Sequence, residues 1–185
     1  LDDVVPGIHN GWSVAVDGAV LAVGAYRADG VASDSGRTYV HSWKLEHFEQ
    51  AQKIQPAGAT ELGSALSLSG DRAVAGSAAG GHILGQNADG PDGWGELGSF
   101  ATGTSVSLSG AIAALGSPGS GQFVIAERNQ GGADKWGAMV TLDTTGTLGS
   151  SVSVTESVAV VGDPEAGQVV LRARNAGGPD QWGEV

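Results

Sequence analysis

The sequence predicts an all-β protein built from four repeats of a four-stranded antiparallel sheet, and three observations lead there. Glycine supplies 32 of the 185 residues, too many for a helical protein, because each interior glycine costs a helix about 1 kcal/mol. The segments Gly11 to Gly18, Gly63 to Gly70, Gly103 to Gly110 and Gly149 to Glu156 align without gaps. A turn sequence repeated at Asn87 to Gly95, Asn129 to Gly137 and Asn175 to Gly183 carries Trp94, Trp136 and Trp182. Phe48 stands at the corresponding place in the first repeat, so the spacings are 46, 42 and 46 residues. Within the aligned segments large apolar residues alternate with small ones, the period of two that marks a strand.

Each repeat reads as four strands in order. In the first strand Val14/Val16, Leu66/Leu68, Val106/Leu108 and Val152/Val154 alternate with Ala15, Ser67, Ser107 and Ser153. A strand with one small face suits the crowded centre of a radial array, and we place it there. Asp17-Gly18, Ser69-Gly70 and Ser109-Gly110 supply residues that tolerate positive φ, the mark of a tight hairpin. The second strand follows at once (Val20 to Val23, Ala73 to Ala75, Ile112 to Leu115, Val158 to Val161). Short glycine turns lead to a third, such as Phe123 to Ala126 or Val169 to Leu171, and the Asn-initiated turn returns the chain through Trp to a fourth. Residues 37 to 57 contain no glycine, and Leu45, Phe48, Ala51 and Ile54 share a three-residue spacing compatible with a helix. Register with the other repeats favours a hairpin turning near Glu46-His47. A four-stranded meander recurring every ~45 residues is the pattern of a β-propeller blade. The repeats fall at 11–62, 63–102, 103–148 and 149–185 within one domain spanning 1–185, with 1–10 completing the last blade or a preceding one. The array is either a four-bladed ring or part of a larger propeller.

Composition narrows the function. The formal net charge is -11, from 20 Asp+Glu against 9 Lys+Arg, which argues against nucleic acid as a partner. No apolar run approaches the ~18 residues a membrane span needs. There is no cysteine, hence no disulfide, thiolate nucleophile or Cys-ligated zinc. The chain begins at Leu1 without a signal peptide, as expected of a processed product or an excised piece.

The repeats resemble the FG-GAP repeats of integrin-α-type β-propellers, in the bacterial and algal form with a Trp-bearing turn. The resemblance rests on Gly-x-Ser-Val-x-Val at 11–16, on its near copy at 149–154, and on Gly24-Ala25-Tyr26, Gly76-Ser77-Ala78, Gly116-Ser117-Pro118 and Gly162-Asp163-Pro164 in the "GAP" place. It rests also on the Arg-Asn-x-Gly-Gly-x-Asp-x-Trp-Gly turns at 128–137 and 174–183. The aromatic residue of the "FG" pair is replaced by Asn10, Leu62, Thr102 and Leu148. The resemblance implies an extracellular or cell-surface module for protein contact or adhesion. Calcium is not carried over with it, because the first connection in each repeat is a two-residue turn with no room for six to eight oxygen ligands. No metal and no cofactor are expected.

Two sets of residues are candidates for binding. The loop from Tyr26 to Gly36 has no counterpart in the other repeats, and its Tyr26, Arg27, Asp29 and Asp34 are the individual groups of the first repeat. Asp92 with Trp94, Asp134 with Trp136 and Asp180 with Trp182 form a repeated Asp-x-Trp pair. The pairs read as turn-forming acids, whose side chains satisfy backbone amides, and as rings packed between blades. The alternative reading is a lectin with one sugar site per blade. His9, His41, His47 and His82 lack the spacing of a zinc site, and no hydrolase, metalloprotease or phosphate-loop motif occurs. The sequence thus points to a non-catalytic module, its partner a protein or further blades, or alternatively a glycan.

Overall fold

A computed structural model of the chain describes residues 7–30, 32–44, 47–48, 52–144 and 146–185. These form four antiparallel sheets in sequence order, without a helix. The first sheet contains β1 (Asn10–Asp17), β2 (Val20–Ala25) and β3 (Arg37–Lys44), with β4 (His47–Phe48) and β5 (Gln52–Ile54) both pairing with β3. The second holds β6 (Ala65–Ser69), β7 (Arg72–Ser77), β8 (Gly80–Gln86) and β9 (Trp94–Phe100). The third holds β10 (Ser105–Ser109), β11 (Ile112–Ser117), β12 (Gln122–Arg128) and β13 (Trp136–Asp143), and the fourth β14 (Ser151–Val154), β15 (Val158–Asp163), β16 (Gln168–Arg174) and β17 (Trp182–Glu184). The glycine-free segment is a hairpin, as register required: Lys44 pairs with His47, while Leu45 and Glu46 lie outside the described residues. The side chain of Phe48, the expected counterpart of the repeated Trp, is outside them too.

Local chemistry explains the strands. Gly18, Gly70 and Gly110 adopt φ of 53°, 58° and 56°, a left-handed conformation that glycine reaches without steric cost and that closes the first hairpin of the first three blades. Leu97 and Met139 sit at matching register shifts in β9 and β13, a bulge that bends the outer strand.

Burial follows the period of two, and it assigns a direction to each sheet face. Ala22, Val40 and Ile54 of the first sheet meet Ala73, Ala75, Leu84 and Trp94 of the second in one core. Val74 and Ile83 of the second meet Ala113, Leu115, Val124 and partly buried Trp136 of the third. Ile112, Ala114, Phe123 and Ile125 of the third meet Ala159, Val161 and Trp182 of the fourth. Three cores therefore join four blades, and each Trp reaches back onto the blade before it. Leu62 and Leu148, which stand for the missing aromatic, are 0% and 1% exposed within these cores. Among the described residues no core joins the fourth sheet to the first; the expected pairing of Leu1-Asp2 into the last blade lies outside them.

The small face of the first strand bridges to the next blade. The Ser13 hydroxyl donates to Gly63 O and that of Ser105 to Gly149 O, each at 2.6 Å. Ser67 Oγ accepts from Leu108 N–H at 2.9 Å, and Ser107 Oγ from Val154 N–H at 3.1 Å. A small hydroxyl is needed here because inner strands approach too closely for larger side chains and still leave edge amides to satisfy.

Candidate functional site

The most individual surface lies where β1 begins and β2 ends. A shallow, open depression of ≈ 280 Å³ is lined by His9, Asn10, Gly11 and Trp12. The Trp12 ring is 60% exposed. It stacks on His9 with centroids 5.9 Å apart and planes 19° from parallel, and meets Tyr26 at 4.7 Å. Tyr26 is 5.1 Å from His9, and the Arg27 guanidinium carbon lies 5.4 Å from the centre of the Tyr26 ring. Three aromatic rings in mutual contact, one of them under a guanidinium, make an amphipathic surface of the kind enriched at protein interfaces.

The loop that supplies Tyr26 and Arg27 is tied down. Asp29 Oδ1 accepts from Asp34 N–H at 3.0 Å. The backbone donates from Gly36 N–H to Ala28 O, from Glu61 N–H to Asp34 O and from Leu62 N–H to Ser35 O. The Gln55 amide donates to Ser35 Oγ at 2.5 Å and to Gly36 O at 3.0 Å. Ala28 and Ser35 are each 1% exposed. Of the four residues expected to bind, Tyr26 and Arg27 therefore join the exposed cluster, whereas Asp29 is spent within the loop and Asp34, at φ 52°, shapes it. Among the described residues no group of three or more His, Asp or Glu could hold a metal ion. Trp12 escapes a reading from strand alternation, since an aromatic in a strand counts as core. The signal that singles it out is its departure from Ser64, Thr104 and Ser150 in the aligned repeats.

The repeated Asp-x-Trp pairs go elsewhere. Trp94 and Trp182 are 3% and 7% exposed and serve the inter-blade cores, while Trp136 is half-buried and packs against its core on one side. The acids do not cap the turn amides as expected. That role belongs to Asn87, Asn129 and Asn175, whose Oδ1 atoms accept from the backbone N–H of Asp92, Asp134 and Asp180 at 2.8, 3.0 and 2.8 Å. Each Asp is instead forced to a φ near +57° or +58°, a conformation that Asp tolerates better than most residues. Its carboxylate then points to the preceding strand: Asp134 to Arg128 and Asp180 to Arg174, the latter at 3.5 Å. The Arg128 guanidinium, by its hydrogen bond and then its charge, holds the Asp134 carboxyl below its ordinary range.

One triplet has the outline of a nucleophilic relay. His82 Nδ1 lies 2.8 Å from Glu96 Oε1, and His82 Nε2 lies 3.4 Å from Ser77 Oγ. The Ser77 side chain is 0% exposed, and its hydroxyl donates to Gly80 O at 2.8 Å. A hydroxyl so placed holds the β7–β8 turn and cannot reach a substrate.

Repeated meandering sheets packed face to face, inner strand beside inner strand, define a propeller-type β protein. The FG-GAP repeat family model matches residues 2–41. Over those residues the chain is similar to the FG-GAP repeat that its motifs resemble. No curated protein matches it in sequence. Among solved structures it is similar to a candidate 6-phosphogluconolactonase from Bacteroides uniformis, with a TM-score of 0.65 at 10% identity over 95% of this chain and 55% of that one. Such a likeness bears on fold alone, and the chain spans little more than half the length of that structure. Among the described residues no helix is long and apolar enough to cross a membrane.

Proposed function

We propose that this chain is a non-catalytic β-propeller module that acts as a binding platform for a protein partner, in an extracellular or cell-surface setting. The observation that carries the reading is the exposed Trp12 ring, braced by His9 and by Tyr26, over which Arg27 lies. Aromatic and arginine side chains held rigidly on a scaffold are the residues that dominate interface energies. The FG-GAP repeat supports the setting, since such repeats are typical of extracellular proteins.

Arrays of extracellular proteins and of glycans, probed with the chain and with Trp12→Ala, test the reading. Protein binding that falls at least tenfold in the variant supports it. Binding indifferent to Trp12 places recognition elsewhere, and binding confined to glycans would replace a protein partner with a saccharide. Cell fractionation of the source organism tests the setting independently.

A further inference from the structure

Four Asp-Gly pairs occur in the chain, beginning at Asp17, Asp29, Asp89 and Asp92, with one Asn-Gly pair at Asn10. Glycine has no Cβ to keep its backbone nitrogen away from the side-chain carbon of the residue before it, so the two atoms can close a five-membered ring. The fold decides which pair does so. The reaction needs the side-chain carboxyl and the following N–H released together from other partners.

Three of the four Asp-Gly pairs are held. The Asp17 carboxylate accepts from Gly70 N–H of the next blade at 2.7 Å, and Asp17 pairs with Val20 across its hairpin. Asp29 Oδ1 accepts from Asp34 N–H at 3.0 Å, Gly30 N–H donates to Ala32 O at 3.0 Å, and a Cβ on Gly30 would run into the Gln55 amide. In the last pair Gly93 N–H donates to Gly90 O at 3.0 Å, and the Asp92 carboxylate accepts from the Gln86 amide at 3.4 Å. Asn10 lies in β1 opposite Ala25, and the pairing keeps its backbone extended.

Asp89-Gly90 differs on each count. Both residues are exposed in the turn between β8 and β9. Among the described residues neither the Asp89 carboxylate nor the Gly90 N–H has a hydrogen-bonding or ionic partner. Gly90 adopts φ +82° with nothing within 4 Å of the place a Cβ would take. The aligned turns of the third and fourth blades carry Gly131 and Gly177 in place of Asp89, so the chemistry belongs to the second blade alone.

We infer that Asp89-Gly90 is a site of spontaneous backbone modification, at which aspartate isomerises to isoaspartate. The Gly90 nitrogen forms a bond to Asp89 Cγ, and its proton leaves with the carboxyl hydroxyl as water. Water then reopens the ring. Cleavage of the bond from nitrogen to Cγ restores aspartate, whereas cleavage of the bond to the main-chain carbonyl carbon runs the chain through Cβ and Cγ and frees an α-carboxylate. One water is lost and one gained, with no redox change. The lengthened chain cannot keep the turn, where Gly93 packs so closely that a Cβ would lie 2.0 Å from Asp89 O. Strand β9 stays seated, because the Gln52 amide clasps Trp94 N–H and Trp94 O at 2.6 and 2.8 Å.

Incubation at neutral pH in water enriched in heavy oxygen tests this, since each ring opening fixes one solvent oxygen. Digestion in ordinary water and tandem mass spectrometry then place the label. A sample in concentrated urea runs in parallel until all four Asp-Gly pairs of the unfolded chain are labelled. In the folded chain Asp89 is expected to label at least about tenfold faster than Asp17, Asp29 or Asp92, because a held carboxylate or amide must first be released. Electron-transfer fragmentation is expected to show the isoaspartyl linkage at the same residue. Asp89→Glu, whose ring would have six members, abolishes label at this turn, and Asp89→Asn, which loses ammonia in place of water, accumulates isoaspartate faster. Both variants alter an exposed side chain, and circular dichroism checks that they fold. Label in folded chain that enters another Asp-Gly pair as fast as Asp89 overturns the inference. So does an unlabelled Asp89 once the unfolded chain has reacted, or isoaspartate at this turn that accumulates no faster in Asp89→Asn. The label is read without any partner, so this outcome is independent of the protein-binding test.

Discussion

Asp163 is 2% exposed and carries the loop that leads into the fourth blade. Burial raises its carboxyl, but hydrogen bonds from the Thr147 side chain, from the Ala166 and Thr147 backbone and from Gln168 outweigh that and leave it below its ordinary value of 3.8. A carboxyl lowered on folding stabilises above its unfolded pKa, and that contribution disappears as pH falls through the folded value. Asp163→Asn is therefore expected to lower the urea midpoint at neutral pH, with the difference from wild type shrinking below about pH 3.8; parallel unfolding curves at pH 7 and pH 3 measure it. Trp94 gives a second expectation. Its Nε1 has no hydrogen-bond partner, so the ring contributes by packing alone. Trp94→Ala is expected to cost about 3–5 kcal/mol and Trp94→Phe clearly less, again by urea unfolding. The burial of these rings was legible from their recurrence. The exchange of roles between turn Asn and Asp was not, because both residues accept hydrogen bonds and tolerate left-handed φ, and only geometry shows which one reaches the amide.

At the scale of the strand, periodicity carries most of the fold. Alternation in four aligned segments places the inner strands, and the Gly-bearing turns place the hairpins, because each depends on a local steric rule. The loop at Tyr26 to Gly36 was visible as an insertion, yet its partners were not, since Gln55, Glu61 and Trp12 are brought to it only by the packing of sheets. The glycines of the second strands lie between these cases: the repeat reveals them, but their purpose appears only where a neighbouring backbone closes in. Gly116→Ala is expected to destabilise by about 1–3 kcal/mol through overpacking against Gly149, whereas Gly162→Ala in the dilute chain stays within about 0.5 kcal/mol. Thermal unfolding of the two variants at low concentration separates them. Equal losses would mean that β15 is confined by something other than a following blade.

Across the described residues, stability in a stacked array is a sum of blade and neighbour terms, and those terms are distributed unevenly. The second and third blades are covered on both faces, with Ala73, Val74, Ala75, Ala113, Ala114 and Leu115 all 0% exposed. Among the described residues the first and fourth each expose apolar side chains on one face, at Val14/Val16 and at Val169. Amide exchange reports local opening free energies, which run from near zero at frayed ends to the global value in covered strands. In dilute solution β7 and β11 are therefore expected to exchange at least tenfold more slowly than β1 and β16, a difference of about 1.4 kcal/mol. Equal exchange in all four strands would mean that the end blades are covered as well as the middle ones. The same strands thus report how stability is divided between the middle blades and the end blades.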